Sequence, residues 1–190
     1  MRKIIIAAVS VNGVLSLSET EGANWTSKAD KRFFKEATCG GTGGVMVGRR
    51  TYETSPHGLP GRRMIVLTRY PERYVDRPEV EFRSEGAQTL LPELEANGVK
   101  ECWIAGGRQV YTYFLREGLV DEIFLTIEPI LFGNGIPFLS ELAEDRPLSL
   151  VSHRLLNDQT VLLHGVSPDS CALVRAGRAG RGDSRGDERP

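Results

Sequence analysis

A short apolar stretch that ends in glycine and opens into a helix constrains this chain most. Residues 43–53, Gly-Gly-Val-Met-Val-Gly-Arg-Arg-Thr-Tyr-Glu, predict a buried strand, a glycine turn and the start of a helix. The first turn of a helix leaves backbone N–H groups unpaired, and the helix dipole adds a partial positive charge there. With Arg49 and Arg50 beside it, this junction predicts a phosphate-binding site.

Composition indicates one globular domain followed by a polar tail. Of the 190 residues, 40% are hydrophobic and 26% are charged, as in ordinary globular proteins. Residues 168–190 differ because they are rich in Arg, Gly, Asp and Ser, and we expect them to be disordered. The predicted domain therefore spans residues 1–167.

Charge, hydropathy and cysteine use argue against several kinds of partner. The net charge of −1 predicts neither nucleic acid nor an anionic membrane as a partner. No apolar run approaches the ~20 residues that span a bilayer. Cys39, Cys102 and Cys171 are far apart and form neither a zinc spacing nor a disulfide framework, so we expect no metal and a reducing, cytoplasmic location.

Apolar runs alternate with helical patterns along the predicted domain. This alternation predicts an α/β fold with a mostly parallel central sheet and helices on both faces, closed by a C-terminal antiparallel hairpin. Ligands of such sheets bind at the carboxyl ends of the strands. The predicted strands cover residues 4–9, 45–47, 62–68, 80–82, 101–105, 121–130, 148–156 and 161–166, and the predicted helices cover residues 28–37, 49–54, 87–96 and 108–117.

Two further strand ends carry residues suited to phosphate. Gly106-Gly107-Arg108-Gln109 follows one predicted strand, and Leu67-Thr68-Arg69 ends another. Three arginines near strand ends exceed the needs of a diphosphate and suit an additional 2′-phosphate, so they predict NADP rather than NAD. The alternative is that the glycines only end elements and the arginines are only solvated. For one junction the two interpretations are evenly balanced, and the three junctions together favour the cofactor.

Asp30 is a carboxylate placed beside aromatic residues. Phe34 lies one helical turn after it, on the same face, and Trp25 lies five residues before it. A carboxylate walled by such rings would have a raised pKa and would bind a protonated heterocycle. The alternative is a capping box, in which Ser27 and Asp30 serve the helix N-terminus. Spacing alone favours the capping box.

Thr126, the tyrosines and the histidines carry weaker signals. Thr126 is either a β-branched filler or a hydroxyl that faces a ligand, and the pattern favours the filler. Tyr111 and Tyr113 are more typical of a core than of a site. The histidines are isolated in sequence, and we assign no role to His57, His153 and His164.

Taken together, these segments resemble the dihydrofolate reductase family. The resemblance runs over most of residues 2–140, and it implies that family's three-layer fold and NADPH-dependent reduction of 7,8-dihydrofolate to tetrahydrofolate. The matching segments are Ile6-Ala7-Ala8-Val9, the spacing of Trp25, Asp30 and Phe34-Lys35, Val47-Gly48-Arg49-Arg50-Thr51-Tyr52-Glu53, Leu59-Pro60-Gly61-Arg62, Gly106-Gly107-x-x-x-Tyr111 and Phe124-Leu125-Thr126.

The resemblance also implies roles for individual residues. Asp30 with Thr126 would hold the pteridine ring and favour its protonation at N5. Arg62 would pair with the α-carboxylate of the glutamate part of folate. The other residues implied on the substrate side are Ile6, Trp25, Phe34 and Lys35. The residues implied on the NADPH side are Ala8, Leu15 and Ser16 (the last two in a mobile loop), Gly48, Arg49, Arg50, Thr51, Leu67, Thr68, Arg69, Gly106 and Gly107 (joined by an unusual peptide), Arg108, Gln109, Val110 and Tyr111.

Some segments depart from this family. Lys31 stands where the family usually has an apolar side chain. Residues 118–122, residues 128–137 and the short hairpin resemble the reductase domain of riboflavin biosynthesis, which shares the fold and cofactor but reduces a ribosylaminopyrimidine phosphate. That domain usually has an aspartate at the position of Asn12. We favour folate because five residues fit that reaction together, namely Trp25, Asp30, Phe34, Arg62 and Thr126.

Three points stay open at this stage. The small-molecule substrate is dihydrofolate or a related heterocycle such as the riboflavin precursor. A non-catalytic nucleotide-binding protein that kept only the phosphate sites is a third alternative, although such a protein needs no buried carboxylate at Asp30. A homodimer is expected only by analogy with relatives that share the long strand and short hairpin.

Overall fold

Ten strands and four helices make up the part of the chain that the computed structural model describes, residues 1–39 and 43–170. The strands are β1 (Arg2–Ser10), β2 (Val14–Ser16), β3 (Gly43–Gly48), β4 (Arg63–Leu67), β5 (Val80–Arg83), β6 (Glu101–Ile104), β7 (Glu122–Glu128), β8 (Ile136–Pro137), β9 (Ser149–Leu155) and β10 (Val161–Val166). The helices are α1 (Lys28–Thr38), α2 (Arg49–Glu53), α3 (Ala87–Ala96) and α4 (Arg108–Arg116).

Eight of the strands form one sheet in the order β5-β4-β3-β6-β1-β7-β10-β9. The first six run parallel to one another, and β10 runs antiparallel to both β7 and β9. The predicted mostly parallel sheet with a C-terminal antiparallel hairpin is therefore confirmed. Its parallel strands end at one edge, where the glycine junctions after β3 and β6 also lie.

The core lies on both faces of this sheet. On β1, Ile5 and Ala7 pack into the layer that contains α3 and α4, whereas Ile4 and Ile6 pack into the layer that contains α1 and α2. All four side chains are buried, which explains why this strand is continuously apolar. The predicted three layers are confirmed, and α1 and α2 share one face of the sheet.

A second, two-stranded sheet pairs β2 with β8. The sequence predicts only a small-residue turn for the first segment and a turn-rich loop for the second. The two segments are held together because Phe138 N–H donates to the carbonyl oxygen of Gly13 at 2.9 Å. This pairing fixes the start of the loop that leads from Ser16 to α1.

The last described residues, Pro168–Ser170, contact the domain. Pro168–Ser170 form a 3-10 turn, and the Ser170 hydroxyl donates to Asp121 Oδ1 at 3.0 Å, so the first residues of the predicted tail contact the domain. Residues 171–190, including Cys171, lie outside the described residues, and their disorder stays a prediction. Of the helices described, none is long and apolar enough to cross a membrane.

Candidate active site

The two glycine junctions predicted to bind phosphate touch each other. Gly48 N–H donates to the carbonyl oxygen of Gly106 at 2.7 Å, and Ala105 N–H donates to Met46 at 2.8 Å. Gly106 and Gly107 are joined by a cis peptide bond. The ends of β3 and β6 therefore form one continuous backbone surface at the carboxyl edge of the sheet.

Close packing explains the glycines at this surface. A Cβ atom on Gly107 would lie 2.9 Å from Thr51 Oγ1, and one on Gly48 would lie 3.0 Å from Val110 Cγ2. Gly106 has a φ of 131°, which favours glycine. Thr51 in α2 and Val110 in α4 thus approach the junctions so closely that side chains there would separate the helices from the strands.

Arg49 and Arg50 lie at the start of α2 and each contacts a glutamate. Arg49 Nη1 donates to both carboxylate oxygens of Glu53 at 2.8 Å, and Arg50 pairs with Glu19. A cavity of about 320 Å³ opens beside them; it is lined by Glu19, Thr20, Arg49, Arg50, Glu53 and Thr54. These glutamates would compete with a bound phosphate for the two arginines.

The third predicted phosphate segment is placed differently. Thr68 is buried and accepts a hydrogen bond from Tyr70 N–H at 3.2 Å, whereas Arg69 is exposed. Neither residue lines the cavity beside Arg49 and Arg50. In addition, α2 has only five residues, so its dipole is weak. Anion binding here would depend on the arginines more than on the helix.

Asp30 lies in the first turn of α1 and is 8% exposed. Ser27 caps this helix because its Oγ accepts from Asp30 N–H at 3.1 Å. In a capping box the Asp30 carboxylate would in turn accept from Ser27 N–H, but that N–H donates to Glu128 Oε1 at 2.8 Å. The Ser27 half of the capping box is therefore present, but the Asp30 carboxylate does not complete it.

The surroundings of Asp30 raise its pKa. Burial is the largest cause, and the charge of Glu128 adds to it, whereas hydrogen bonds from Thr26 and Thr126 and the charge of Lys31 oppose it. Thr126 is almost fully buried, and it lies opposite Ala8 in the β1–β7 register. The Thr126 hydroxyl lowers the pKa of Asp30 and so opposes the effect of burial, which favours the interpretation of Thr126 as a site residue; its role toward a ligand stays a prediction.

Arg62 lies near the other end of α1. Its Nη1 donates to Thr38 Oγ1 at 3.1 Å, and its Cζ lies 5.8 Å from the centre of the Phe34 ring. Arg62 is only 9% exposed, and no acidic side chain within residues 1–39 and 43–170 pairs with it. A buried guanidinium with only neutral partners is suited to an external carboxylate.

Trp25 connects the loop before α1 to two neighbouring segments. Its Nε1 donates to the carbonyl oxygen of Leu15 at 3.2 Å, and its ring meets Phe132 edge-on at 5.0 Å. Ser16 is buried and donates to Ser18 O at 2.7 Å. The predicted loop residues therefore pack against Trp25 beside the start of α1.

The sequence of this chain matches a known protein family. The family model for dihydrofolate reductase matches residues 3–128. This chain belongs to the dihydrofolate reductase family. Dihydrofolate reductase type 3 of Salmonella typhimurium is 34% identical over 122 residues, which cover 64% of this chain and 68% of that protein. The resemblance inferred from the sequence is confirmed, and membership in this family supports an oxidoreductase activity.

Two solved structures that are similar to this family member carry different descriptions. Dihydrofolate reductase from Enterococcus faecalis, complexed with NADP(H) and RAB-propyl, has a TM-score of 0.68 and 22% identity and covers 88% of this chain and 97% of its own. A putative riboflavin biosynthesis protein from Shewanella sp. PV-4 has a TM-score of 0.69 and 20% identity and covers 88% and 99%. At these identities the likeness establishes the fold and does not separate the two reactions.

The other predicted site residues of this dihydrofolate reductase family member range from buried to exposed. Tyr111 is a core residue whose hydroxyl donates to Ile6 O at 2.9 Å, as its pattern favours, and burial raises its pKa. Lys35 and Gln109 are exposed, whereas Ala8, Leu67 and Arg108 are half-buried. The roles of these residues toward ligands stay predictions.

The sequence interpretation missed three buried polar residues: Glu128, Thr160 and His164. Glu128 accepts from both Ser27 N–H and the Thr160 hydroxyl. His164 Nε2 lies 2.9 Å from Glu122 Oε2, and its ring stacks on Phe124 at 4.1 Å. Their partners are distant in the chain, so no local motif could have revealed them. Within residues 1–39 and 43–170, no three His, Cys, Asp or Glu side chains cluster as metal ligands.

Proposed function

We propose that this chain catalyses the NADPH-dependent reduction of 7,8-dihydrofolate to tetrahydrofolate. The observation that carries the proposal is the spacing of polar groups along α1. Asp30, Phe34 and Thr38 are four residues apart and lie on one helix face. Asp30 and Thr38, whose hydroxyl binds Arg62, are therefore about 12 Å apart along the helix axis, with Phe34 between them.

This spacing matches a substrate with a heterocycle at one end and a carboxylate at the other. The buried Asp30 would hydrogen-bond the pteridine. Its raised pKa would favour a proton on the nitrogen of the ring C=N bond that is reduced. Phe34 would pack against the middle of the substrate. The Arg62 guanidinium would pair with the glutamate carboxylate, which supplies the acidic partner that it lacks among the described residues.

The residues at the strand ends fit NADPH, which would supply the hydride. Gly48, Gly106 and Gly107 allow α2 and α4 to pack directly against the strand ends, which brings the start of both helices to the edge where the cofactor would bind. Arg49 and Arg50 beside the 320 Å³ cavity would hold phosphates. Catalysis by the chain would consist of holding two rings in contact and keeping a proton near the substrate.

A second candidate is the reductase reaction of riboflavin biosynthesis. The similarity in fold to the Shewanella protein and the exposed Lys31 in place of an apolar side chain favour it. Its ribosylaminopyrimidine phosphate would offer Arg62 a phosphate in place of a carboxylate, so turnover of the two substrates is what separates the candidates. A non-catalytic nucleotide-binding protein would have no use for the buried Asp30 and Thr126. The predicted cytoplasmic location and homodimer stay predictions.

The test follows NADPH absorbance with dihydrofolate and with a dihydropterin that lacks the glutamate tail. We expect Asp30→Asn to lower kcat with either substrate by about 10²–10⁴-fold. Arg62→Leu should raise KM for dihydrofolate by about tenfold to a hundredfold, because a charge-assisted bidentate pair is lost. The KM for the substrate without the glutamate tail should stay unchanged.

Arg63→Leu is the matched control, because Arg63 pairs with Glu81 on the surface and should change neither KM. Absence of dihydrofolate turnover by the wild-type protein would refute the folate proposal. Turnover of the ribosylaminopyrimidine phosphate alone would establish the second candidate.

A further inference from the structure

Glu128 is a second buried carboxylate beside Asp30, and the proposed reaction assigns no role to it. It ends β7 and is 5% exposed. It lies two residues after Thr126, so both side chains point to the same face of the sheet. Its Oε1 accepts from Ser27 N–H at 2.8 Å, and its Oε2 accepts from the Thr160 hydroxyl at 2.9 Å.

These contacts link Glu128 to Asp30 through the helix cap. Ser27 receives the Glu128 carboxylate on its backbone N–H, while its own Oγ accepts from Asp30 N–H. Thr160, at the start of β10, holds the same carboxylate from the other side. Glu128 therefore fixes the first turn of α1, and with it Asp30, against β7 and the C-terminal hairpin.

Among the described residues, the Glu128 carboxylate has no ion-pair partner. No Lys, Arg or His side chain of residues 1–39 and 43–170 forms an ion pair with it. Both of its oxygens accept hydrogen bonds, an arrangement that suits an ionised carboxylate. The backbone N–H of Ser27 and the hydroxyl of Thr160 stabilise a charge on Glu128, and a negative charge there favours a proton on Asp30.

The other groups that face Asp30 come from three elements. Lys31 follows it on α1, but this side chain is exposed and its Nζ donates to Asn24 O. Thr126 on β7 and Thr26 before α1 supply hydroxyls, and Tyr111 on α4 is neutral because its pKa is raised by burial. Of the two charged groups, Glu128 favours a proton on Asp30, whereas Lys31 opposes it.

We propose that Glu128 is a positioning residue for the reduction: it anchors the first turn of α1 and keeps a negative charge beside Asp30, so that the proton required by the substrate resides on Asp30. The inference rests on the proposed function. It deepens that function by naming the group that controls when Asp30 gives up its proton.

The first test is the pH dependence of the hydride-transfer rate in single turnovers with NADPH and dihydrofolate. Glu128→Gln removes the charge and keeps an amide oxygen as acceptor. We expect its profile to move to lower pH, with the rate above the midpoint lowered about threefold to tenfold and the low-pH plateau unchanged. A purely structural role of Glu128 would lower the plateau of the rate and leave the midpoint pH unmoved. That result would overturn the proposal.

Glu122→Gln is the matched control. Glu122 is also buried and begins the same strand, six residues and about 20 Å from Glu128. Its substitution should leave the pH profile where it is in the wild-type protein. A shift equal to that of Glu128→Gln would show that any loss of a buried carboxylate on β7 has this effect, and would overturn the proposal.

The second test needs no turnover and so separates this inference from the proposed function. The Asp30 carboxyl is titrated by ¹³C NMR in the wild-type protein and in Glu128→Gln, and its midpoint should lie at lower pH in the variant. If Glu128→Gln does not fold, Thr160→Val replaces it; this removes one hydrogen bond that holds the charge on Glu128, and a smaller shift in the same direction is expected. An unmoved midpoint overturns the proposal even if the enzyme reduces dihydrofolate.

Discussion

The backbone N–H of Gly48 donates to the carbonyl oxygen of Gly106 at 2.7 Å. This hydrogen bond joins the end of β3 to the junction between β6 and α4. It also brings Val110 so close that a Cβ on Gly48 would lie 3.0 Å from its Cγ2. The shape of the proposed cofactor surface therefore depends on the absence of a side chain at position 48.

Gly48→Ala should destabilise the protein by about 1–3 kcal/mol and raise KM for NADPH severalfold. Its φ of −80° is accessible to alanine, so the effect is steric. Denaturant unfolding measures the first quantity, and Gly133→Ala is the control because nothing lies within 4 Å of its Cβ position. In the double variant with Val110→Ala, we expect a coupling energy of about 0.5 kcal/mol or more; additive effects would contradict the steric explanation.

Glu19→Gln should improve NADPH binding. Glu19 pairs with Arg50, and its carboxylate would compete with a phosphate for this guanidinium. Both side chains are half exposed, and such ion pairs contribute at most about 1 kcal/mol, so KM for NADPH should fall by up to about fivefold. Glu21→Gln, which removes a nearby exposed carboxylate, serves as the control. An unchanged KM for NADPH in Glu19→Gln would show that Arg50 does not bind the cofactor.

Asp30→Asn should stabilise the protein at pH 8 while it lowers kcat. The pKa of Asp30 is raised in the folded state above its ordinary value of 3.8, so wild-type stability declines as pH rises from 3.8 through the folded pKa. The variant lacks this decline, and we expect its free energy of unfolding to exceed that of wild type by about 0.5–2 kcal/mol. Urea unfolding at several pH values measures the difference. A difference that is constant with pH would contradict a raised pKa.

Local patterns in the sequence predicted most of the fold. The apolar runs of β1, β3 and β6 were identified because both of their faces are covered, and α3 begins and ends at the predicted residues, Ala87–Ala96. The β2–β8 pair was missed because neither segment has a period of its own. Both strands are short, and each is held by its pairing with the other, which lies far away in the sequence.

The site was predictable only where its residues are near one another in sequence. Ser27 and Asp30 are separated by three positions, so a capping box was the natural interpretation. The partner that replaces Asp30 in this role, Glu128, lies 101 positions from Ser27, and only the tertiary structure brings it there. For the same reason the pairing of His164 with Glu122 was not predicted, since it depends on the register between β10 and β7.

Glu122 and His164 form a buried pair that also involves Arg2. Glu122 Oε2 lies 2.9 Å from His164 Nε2, and Glu122 Oε1 accepts from Arg2 Nη1 at 2.8 Å. Burial raises the pKa of Glu122, but the hydrogen bond from His164 and the charge of Arg2 outweigh it, so the pKa lies below the ordinary 4.5. A carboxyl of this kind stabilises the fold above its unfolded pKa, and the contribution is lost as pH falls through its folded pKa.

Glu122→Gln should therefore lower the free energy of unfolding by about 1–3 kcal/mol at neutral pH, the cost of leaving buried donors poorly satisfied. The difference from wild type should narrow as pH falls below 4.5, because the wild-type carboxyl then becomes protonated and loses the same interactions. Glu101→Gln is the control: Glu101 also pairs with Arg2 but is partly exposed, so its loss should cost no more than about 1 kcal/mol. If the Glu122→Gln difference is as large at acidic pH as at neutral pH, the carboxyl is not held ionised by His164 and Arg2.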